Sequence, residues 1–168
     1  VAEELRASVW RDGETDLSAG LILKLNGAPY SQKPPLYYWV AAALGAPFGH
    51  VDPWAARLPS ALAGIAGVAL SMALTRRLFP VAGARAAPWA GLFLLLSFRW
   101  GDLSQRASLD VVLSVLELGA LVGWLRFARG EWTRERALLC IHAALGLGML
   151  VKGPVALLPL AVIALATA

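Results

Sequence analysis

The sequence predicts an all-α, polytopic transmembrane helical bundle with interfacial helices on its extracytoplasmic side, and three observations predict it. Hydrophobic residues make up 58% of the 168-residue chain and charged residues only 15%. With a mean hydropathy of +0.63, that balance argues against a soluble globular domain. Apolar runs approaching the ~20 residues that a bilayer requires recur between arginines. Finally, Asn26 to Trp39 reads NGAPYSQKPPLYYW, which sets a lysine and two prolines against an aromatic helix start. Net charge of +4 is spread between apolar segments and forms no continuous basic face, so no nucleic-acid partner is expected.

The first fifty-two residues read as surface structure. Val1, Leu5 and Val9 recur at helical spacing among Glu3, Glu4, Arg6 and Arg11, which predicts a short amphipathic helix stopped near Gly13. Leu17 to Leu25 carries Ser18, Gly20 and Lys24 within an apolar stretch and ends at the Asn26-Gly27 turn signal, so it reads as extended. Pro34 and Pro35 suit the first turn of a helix, where a missing N–H costs nothing, and a helix is expected from about Leu36 to just before Pro47. That run is too short to cross a bilayer. Tyr37, Tyr38 and Trp39 are rings of the kind that sit at headgroup level, so the helix is expected to lie in the interface, with Tyr30 and Tyr37 touching lipid or a lipid-linked ligand. Lys33 would stand just outside the hydrocarbon, able to grip an anionic headgroup or a phosphate ester.

Residues 53–168 read as about five transmembrane helices. Leu58 to Thr75 is uncharged between Arg57 and Arg76-Arg77 and is the clearest span. Further spans are expected at about Ala82 to Phe98, Leu109 to Leu125 and Ala137 to Val151, and a fifth opens at Pro154 and is still apolar at Ala168. Val1 to Glu14 has neither a basic n-region nor an apolar h-region, so it is no signal peptide, and a fragment of a larger polytopic protein is expected. Counting short loops, Arg76, Arg77, Arg85, Arg126, Arg129, Arg134 and Arg136 share one side against Arg57, Arg99, Arg106 and Lys152 on the other. Seven against four makes the first side cytoplasmic and puts Lys33, Asp102, Asp110 and Lys152 outside.

Several polar residues at span level are candidates for chemistry. Asp110 opens the third span after a polar loop, Asp102 to Ser108; it is either a helix-start carboxylate favoured by the macrodipole or a carboxylate in a membrane-level cleft. Lys152-Gly153-Pro154 is either a helix end or a cation beside a deliberate break. Glu117 falls mid-span, on one helix stripe with Asp110 and Ser114, and His142 on the next span is its expected polar partner. Cys140 is alone, so no intrachain disulfide forms. His50 and His142 lie far apart without nearby cysteines, which leaves no metal-ligand spacing.

The motifs NGAPYSQKPPLYYW, AARLPSALAGI, RRLF, SQRASLDVVL and MLVKGPVALL, in this order, resemble the N-terminal third of bacterial GT-C glycosyltransferases related to the aminoarabinose transferase of lipid A and to protein O-mannosyltransferases. The resemblance covers nearly the whole chain. It implies a polyprenyl-phosphate sugar donor, a lipid, glycan or protein acceptor, and an active site on the extracytoplasmic face of the bacterial cytoplasmic membrane. It further implies that Lys33 matches the lysine of the family's Lys-Pro-Pro motif near the donor phosphate, Asp110 the acidic residue opening the fourth family span, and Lys152 its Lys-Gly-Pro. The family's first catalytic aspartate would fall upstream of Val1, so this chain is expected to be inactive by itself.

Transfer would then use that aspartate as general base, with Lys33, Arg106 and Lys152 stabilising the departing phosphate and Asp110 completing the catalytic group. Many relatives carry a glutamate before Lys-Pro-Pro that helps bind a divalent cation. Here Gln32 offers a neutral amide, a poorer ligand for a hard metal, which argues against a metal requirement. The rival reading is a transporter or flippase coupled through Glu117 and the break at Gly153-Pro154. A non-catalytic scaffold would leave the grouping of Lys33, Asp110 and Lys152 unexplained.

Overall fold

Three helical stretches of the computed structural model are long and apolar enough to cross a membrane; the structure describes residues 1–11, 14–16 and 18–167. The chain begins with α1 (Ala2–Val9), whose Leu5 and Val9 are buried. The expected stop near Gly13 lies outside the described residues. A two-residue antiparallel pair follows, β1 (Trp10–Arg11) with β2 (Glu14–Thr15), then a 3-10 turn at Ser18–Gly20. Strands β3 (Lys24–Leu25) and β4 (Ala28–Pro29) form a second pair. Asn26 and Gly27 between them have φ of 53° and 78°, the left-handed backbone that a two-residue hairpin turn requires and that Asn-Gly tolerates best.

Helix α2 (Leu36–Gly45) starts at the residue the prolines predict. It closes a small core in which Leu5, Val9, Leu23 and Ala42 are buried under Trp10, Tyr30, Tyr38 and Trp39. Polar ties hold this layer to its neighbours. The Trp39 indole N–H donates to the Gly20 carbonyl at 2.9 Å, and the Val51 N–H donates to the Glu3 carboxylate at 2.6 Å.

Helix α3 (Pro53–Leu78) is 26 residues long, about 39 Å at 1.5 Å per residue, and every later helix except α7 and α8 packs closely on it. Helix α4 (Gly83–Leu96) has 14 residues, about 21 Å, well short of the ~30 Å hydrocarbon core. The expected second span is therefore interrupted. Ser97 takes an extended conformation, with ψ of 114°, and the chain re-enters a helix, α5 (Phe98–Gln105). This also corrects the polar loop expected from Asp102. The apolar run hid the break, and α5 is helical because α3 offers it a flat bed: a Cβ on Gly67 would stand 2.2 Å from Trp100, and one on Gly64 2.5 Å from Ser104. The Trp100 indole N–H reaches the Gly64 carbonyl at 3.2 Å.

Helix α6 (Leu109–Ala128) and helix α7 (Arg134–Lys152) form the closest pair in the bundle. Gly123 faces the Cys140 thiol, whereas a Cβ on Gly119 would meet open space, so of the expected small-residue pair only Gly123 lies at the close approach of the two helices. After Lys152, Gly153 at φ 78° and a 3-10 turn, Gly153–Leu157, reverse the chain into α8 (Leu158–Thr167). Leu160 and Ile163 of α8 line one cavity with Ala137, Leu138 and Ile141 of α7, so the chain doubles back there, with Pro154 in the turn and the new helix starting at Leu158. At the end of the bundle where α3 and α6 finish, Glu131 accepts from Arg77 at 3.2 Å and lies 3.8 Å from Arg126. Arg126 stacks over Trp132 at 4.7 Å.

Candidate functional site

At the other end of the bundle, four separate elements converge on an open cleft of about 310 Å³. The loop before α2 supplies Lys33, the residue after α5 supplies Arg106, the first turn of α6 supplies Asp110, and the last residue of α7 supplies Lys152. Neighbouring burial fixes two of them. Val111 is 1% exposed and Val151 0%, and burying a side chain of this kind stabilises by about 1.5–3 kcal/mol. The charged residue next in sequence to each is thereby held at the rim. Asp110 sits where helix-start N–H groups favour a carboxylate, and its Oδ1 accepts from the Lys152 ammonium.

The other two cations differ in how they are held. Asp102 Oδ1 accepts from Arg106 Nε at 2.8 Å and lies 2.7 Å from its Nη2, while the guanidinium stays largely exposed. Lys33 has no ion-pair partner among the described residues. It also borders a second groove of about 280 Å³ shared with Leu21, Ile22, Tyr30 and Pro35. Lys33 thus stands on a ridge between a polar cleft and a more apolar groove, and Tyr30 lines the groove, not the cleft. Among the described residues no three His, Cys, Asp or Glu side chains converge, and Gln32 beside Lys33 adds only a neutral amide.

Two expectations do not survive. Tyr37 is 4% exposed and its hydroxyl donates inward, lying 2.7 Å from Ser60 Oγ and 2.8 Å from the Ala56 carbonyl. It therefore touches neither lipid nor a ligand in the cleft. The sequence shows its aromatic ring but not that α3 packs over that face of α2. Burial raises its phenol above the ordinary value, so it remains a neutral hydroxyl. Glu117 and His142 do not pair either. His142 Nδ1 contacts the Leu138 carbonyl of its own helix at 2.7 Å, and the ring faces a cavity lined by Trp124, Leu160 and Ile163. Glu117 Oε1 is buried without a hydrogen-bond partner among the described residues. Equal depth on adjacent helices did not mean facing sides.

Sequence reasoning missed Ser60 and Ser108. Ser60 is fully buried and Ser108 nearly so, and the Ser108 N–H and carbonyl both bond to Ser60 Oγ at 2.9 Å. The available signal was a serine directly after Pro59 inside an apolar span, a weak one by itself.

The fold and this cleft are similar to those of solved proteins. ArnT from Cupriavidus metallidurans in the apo state superposes with a TM-score of 0.81 at 30% identity, over 99% of this chain and 30% of that one. The structure of the same protein bound to undecaprenyl phosphate gives 0.77 at 30% identity, over 93% of this chain and 28% of that one. The chain thus spans less than a third of the length of the structures it matches. No curated sequence matches it significantly. Residues 32–168 match the family described as dolichyl-phosphate-mannose-protein mannosyltransferase, and the chain belongs to that family.

Proposed function

We propose that this chain forms the donor-phosphate region of an integral membrane glycosyltransferase, one that moves a sugar from a polyprenyl-phosphate carrier to a hydroxyl of a lipid, glycan or protein acceptor outside the cytoplasm. One observation carries the reading: three cations and a carboxylate, brought together from four elements, line a single cleft. The similar ArnT structure with bound undecaprenyl phosphate supports it. In such a transfer the acceptor oxygen attacks the anomeric carbon, the bond from that carbon to the phosphate oxygen breaks, and the polyprenyl phosphate leaves with the bonding pair. Charge grows on the phosphate, so fixed cations aimed at it lower the barrier. Lys33 is free to take a phosphate oxygen, and Arg106 needs only to release Asp102. Lys152 acts from the opposite wall, oriented by Asp110. The acceptor proton passes to the general-base aspartate that the family resemblance implies, while Asp110, the carboxylate lining the cleft, holds the Lys152 ammonium. The arginines at the far end of the bundle orient the cleft away from the cytoplasm, with residues 1–52 as its extracytoplasmic cover.

The test is a transfer assay with the intact protein in liposomes and a radiolabelled sugar on polyprenyl phosphate. Lys33→Ala is expected to lower transfer about 100-fold or more, the scale seen when one stabilising donor is removed from a developing anion. Lys33→Arg is expected to lose less, because the charge remains. Wild-type turnover by purified Lys33→Ala at saturating donor would reduce Lys33 to an interfacial anchor and sink the assignment.

A further inference from the structure

We propose that Ser60 is a positioning residue that ties the two walls of the cleft together through a clamp of two hydroxyls and the Ser108 backbone. The Lys33 wall runs directly into α2, where Tyr37 sits in the first turn. The Asp110 wall begins at Ser108, the residue preceding α6 and itself part of the cleft lining. Ser60 of α3 touches both: Tyr37 Oη lies 2.7 Å from its Oγ, and the Ser108 N–H and carbonyl each lie 2.9 Å from it.

Proton counting gives the clamp a direction. Tyr37 and Ser60 have one hydroxyl proton each, and three contacts ask for one: Tyr37 to Ala56, Tyr37 to Ser60, and Ser60 to Ser108. The Ala56 carbonyl lies inside α3, where the helix supplies its own donor. The two protons therefore run from Tyr37 to Ser60 and from Ser60 to the Ser108 carbonyl, while Ser60 Oγ also accepts the Ser108 N–H. Its one proton and two lone pairs are all used. No other residue type of that size fills the three roles. Ala removes all of them, and Phe at position 37 removes only one. With Ser60 completely buried, water cannot replace the lost bonds. The wall carrying Asp110 is then free to shift against the wall carrying Lys33. The role in substrate handling rests on the phosphate reading above, whereas the clamp itself is a statement of geometry.

The experiment separates the two. In the intact protein with Cys140→Ala, spin labels at Gln32→Cys and Gln105→Cys report on the walls, and labels at Phe127→Cys and Leu139→Cys report on the far end of α6 and α7, where both side chains are exposed. Ser60→Ala is expected to broaden the interspin distances across the cleft and leave the far pair unchanged, with Tyr37→Phe broadening them less. Affinity for a polyprenyl phosphate in detergent is expected to fall about tenfold in Ser60→Ala and about threefold in Tyr37→Phe. The double variant should be no worse than Ser60→Ala, since the tyrosine acts through the serine. A cross-cleft distribution superimposable on wild type, or equal broadening at the far pair, would overturn the clamp. If Ser60→Ala does not fold, Tyr37→Phe decides on the same two pairs. Failure of the wild type to bind a polyprenyl phosphate would remove the phosphate reading and leave the distance result standing.

Discussion

The two ends of the bundle are both rich in cations, yet they are built differently. At the end where α3 and α6 finish, Arg77 and Arg126 share Glu131, Arg126 also covers Trp132, and the remaining arginines are distributed over the ends of several helices. At the cleft end, Lys33, Arg106 and Lys152 arrive from three different elements and line one space, anchored by buried neighbours. Arginines in loops are sufficient to orient a membrane protein. Convergence of cations from distant parts of the sequence is not needed for that purpose, and it is what a phosphate-bearing ligand requires.

Removing one charge from each end is the strongest way to break the comparison. Lys152→Met is expected to lower sugar transfer ten- to a hundredfold, because it deletes a cation and strands Asp110, whereas Arg134→Met should leave the rate within a factor of two. Equal losses would mean that charge as such, not its position, matters. Sidedness comes next. In a Cys140→Ala background, Gln105→Cys should react with an impermeant maleimide added to intact cells and Arg129→Cys should not; labelling at 129 from outside would invert the proposed topology.

A smaller effect is expected at Glu131. Its ion pairs are partly exposed, so Glu131→Ala should cost no more than about 1 kcal/mol in thermal stability and leave transfer unchanged. A loss well beyond that would show that the far end does more than orient the chain. The smallest effect concerns Glu3 in the surface layer on the cleft side. A hydrogen bond from Arg6, together with the Val51 N–H and despite some burial, holds its carboxyl below the usual 4.5. The stability it contributes is fully present above pH 4.5 and declines as pH falls through the lowered value. The protection factor of the Val51 amide, its exchange rate corrected for the intrinsic pH dependence, should therefore fall in acid in the wild type, and in Glu3→Gln that fall should disappear.

Much of this arrangement was legible from the residues. Arg57 and Arg76-Arg77 bounded the uncharged part of α3, Pro34-Pro35 marked the start of α2, and Lys33, Arg106, Asp110 and Lys152 do meet in space. These signals are local: a charge ends a span, and a proline begins a helix. What escaped was rotation and contact. Nothing after Arg85 in the run from Ala82 to Phe98 announces the extended backbone at Ser97, since the stretch from Ala86 to Leu96 is uncharged and suits hydrocarbon. Which face of α2 turns inward depends on α3, so Tyr37 read as an interfacial ring when it is a buried hydroxyl. The same blindness to helix rotation paired Glu117 with His142, and it hid Ser60, whose meaning exists only once Tyr37 and Ser108 stand beside it.

The brevity of α4 has a mechanical consequence for the surrounding lipid. Beside a 26-residue α3, a 14-residue helix that ends in exposed Leu95 and Leu96 presents an apolar band several ångströms shorter than the hydrocarbon core. Mismatch of this kind costs fractions of a kcal/mol per ångström, and a bilayer relieves it by thinning where the short helix meets it. Such thinning along this edge would draw headgroups inward, toward the level at which α5 leads into Arg106. On the function proposed above, a carrier lipid in that leaflet would present its phosphate to the cleft from the side, with its chain still in the membrane.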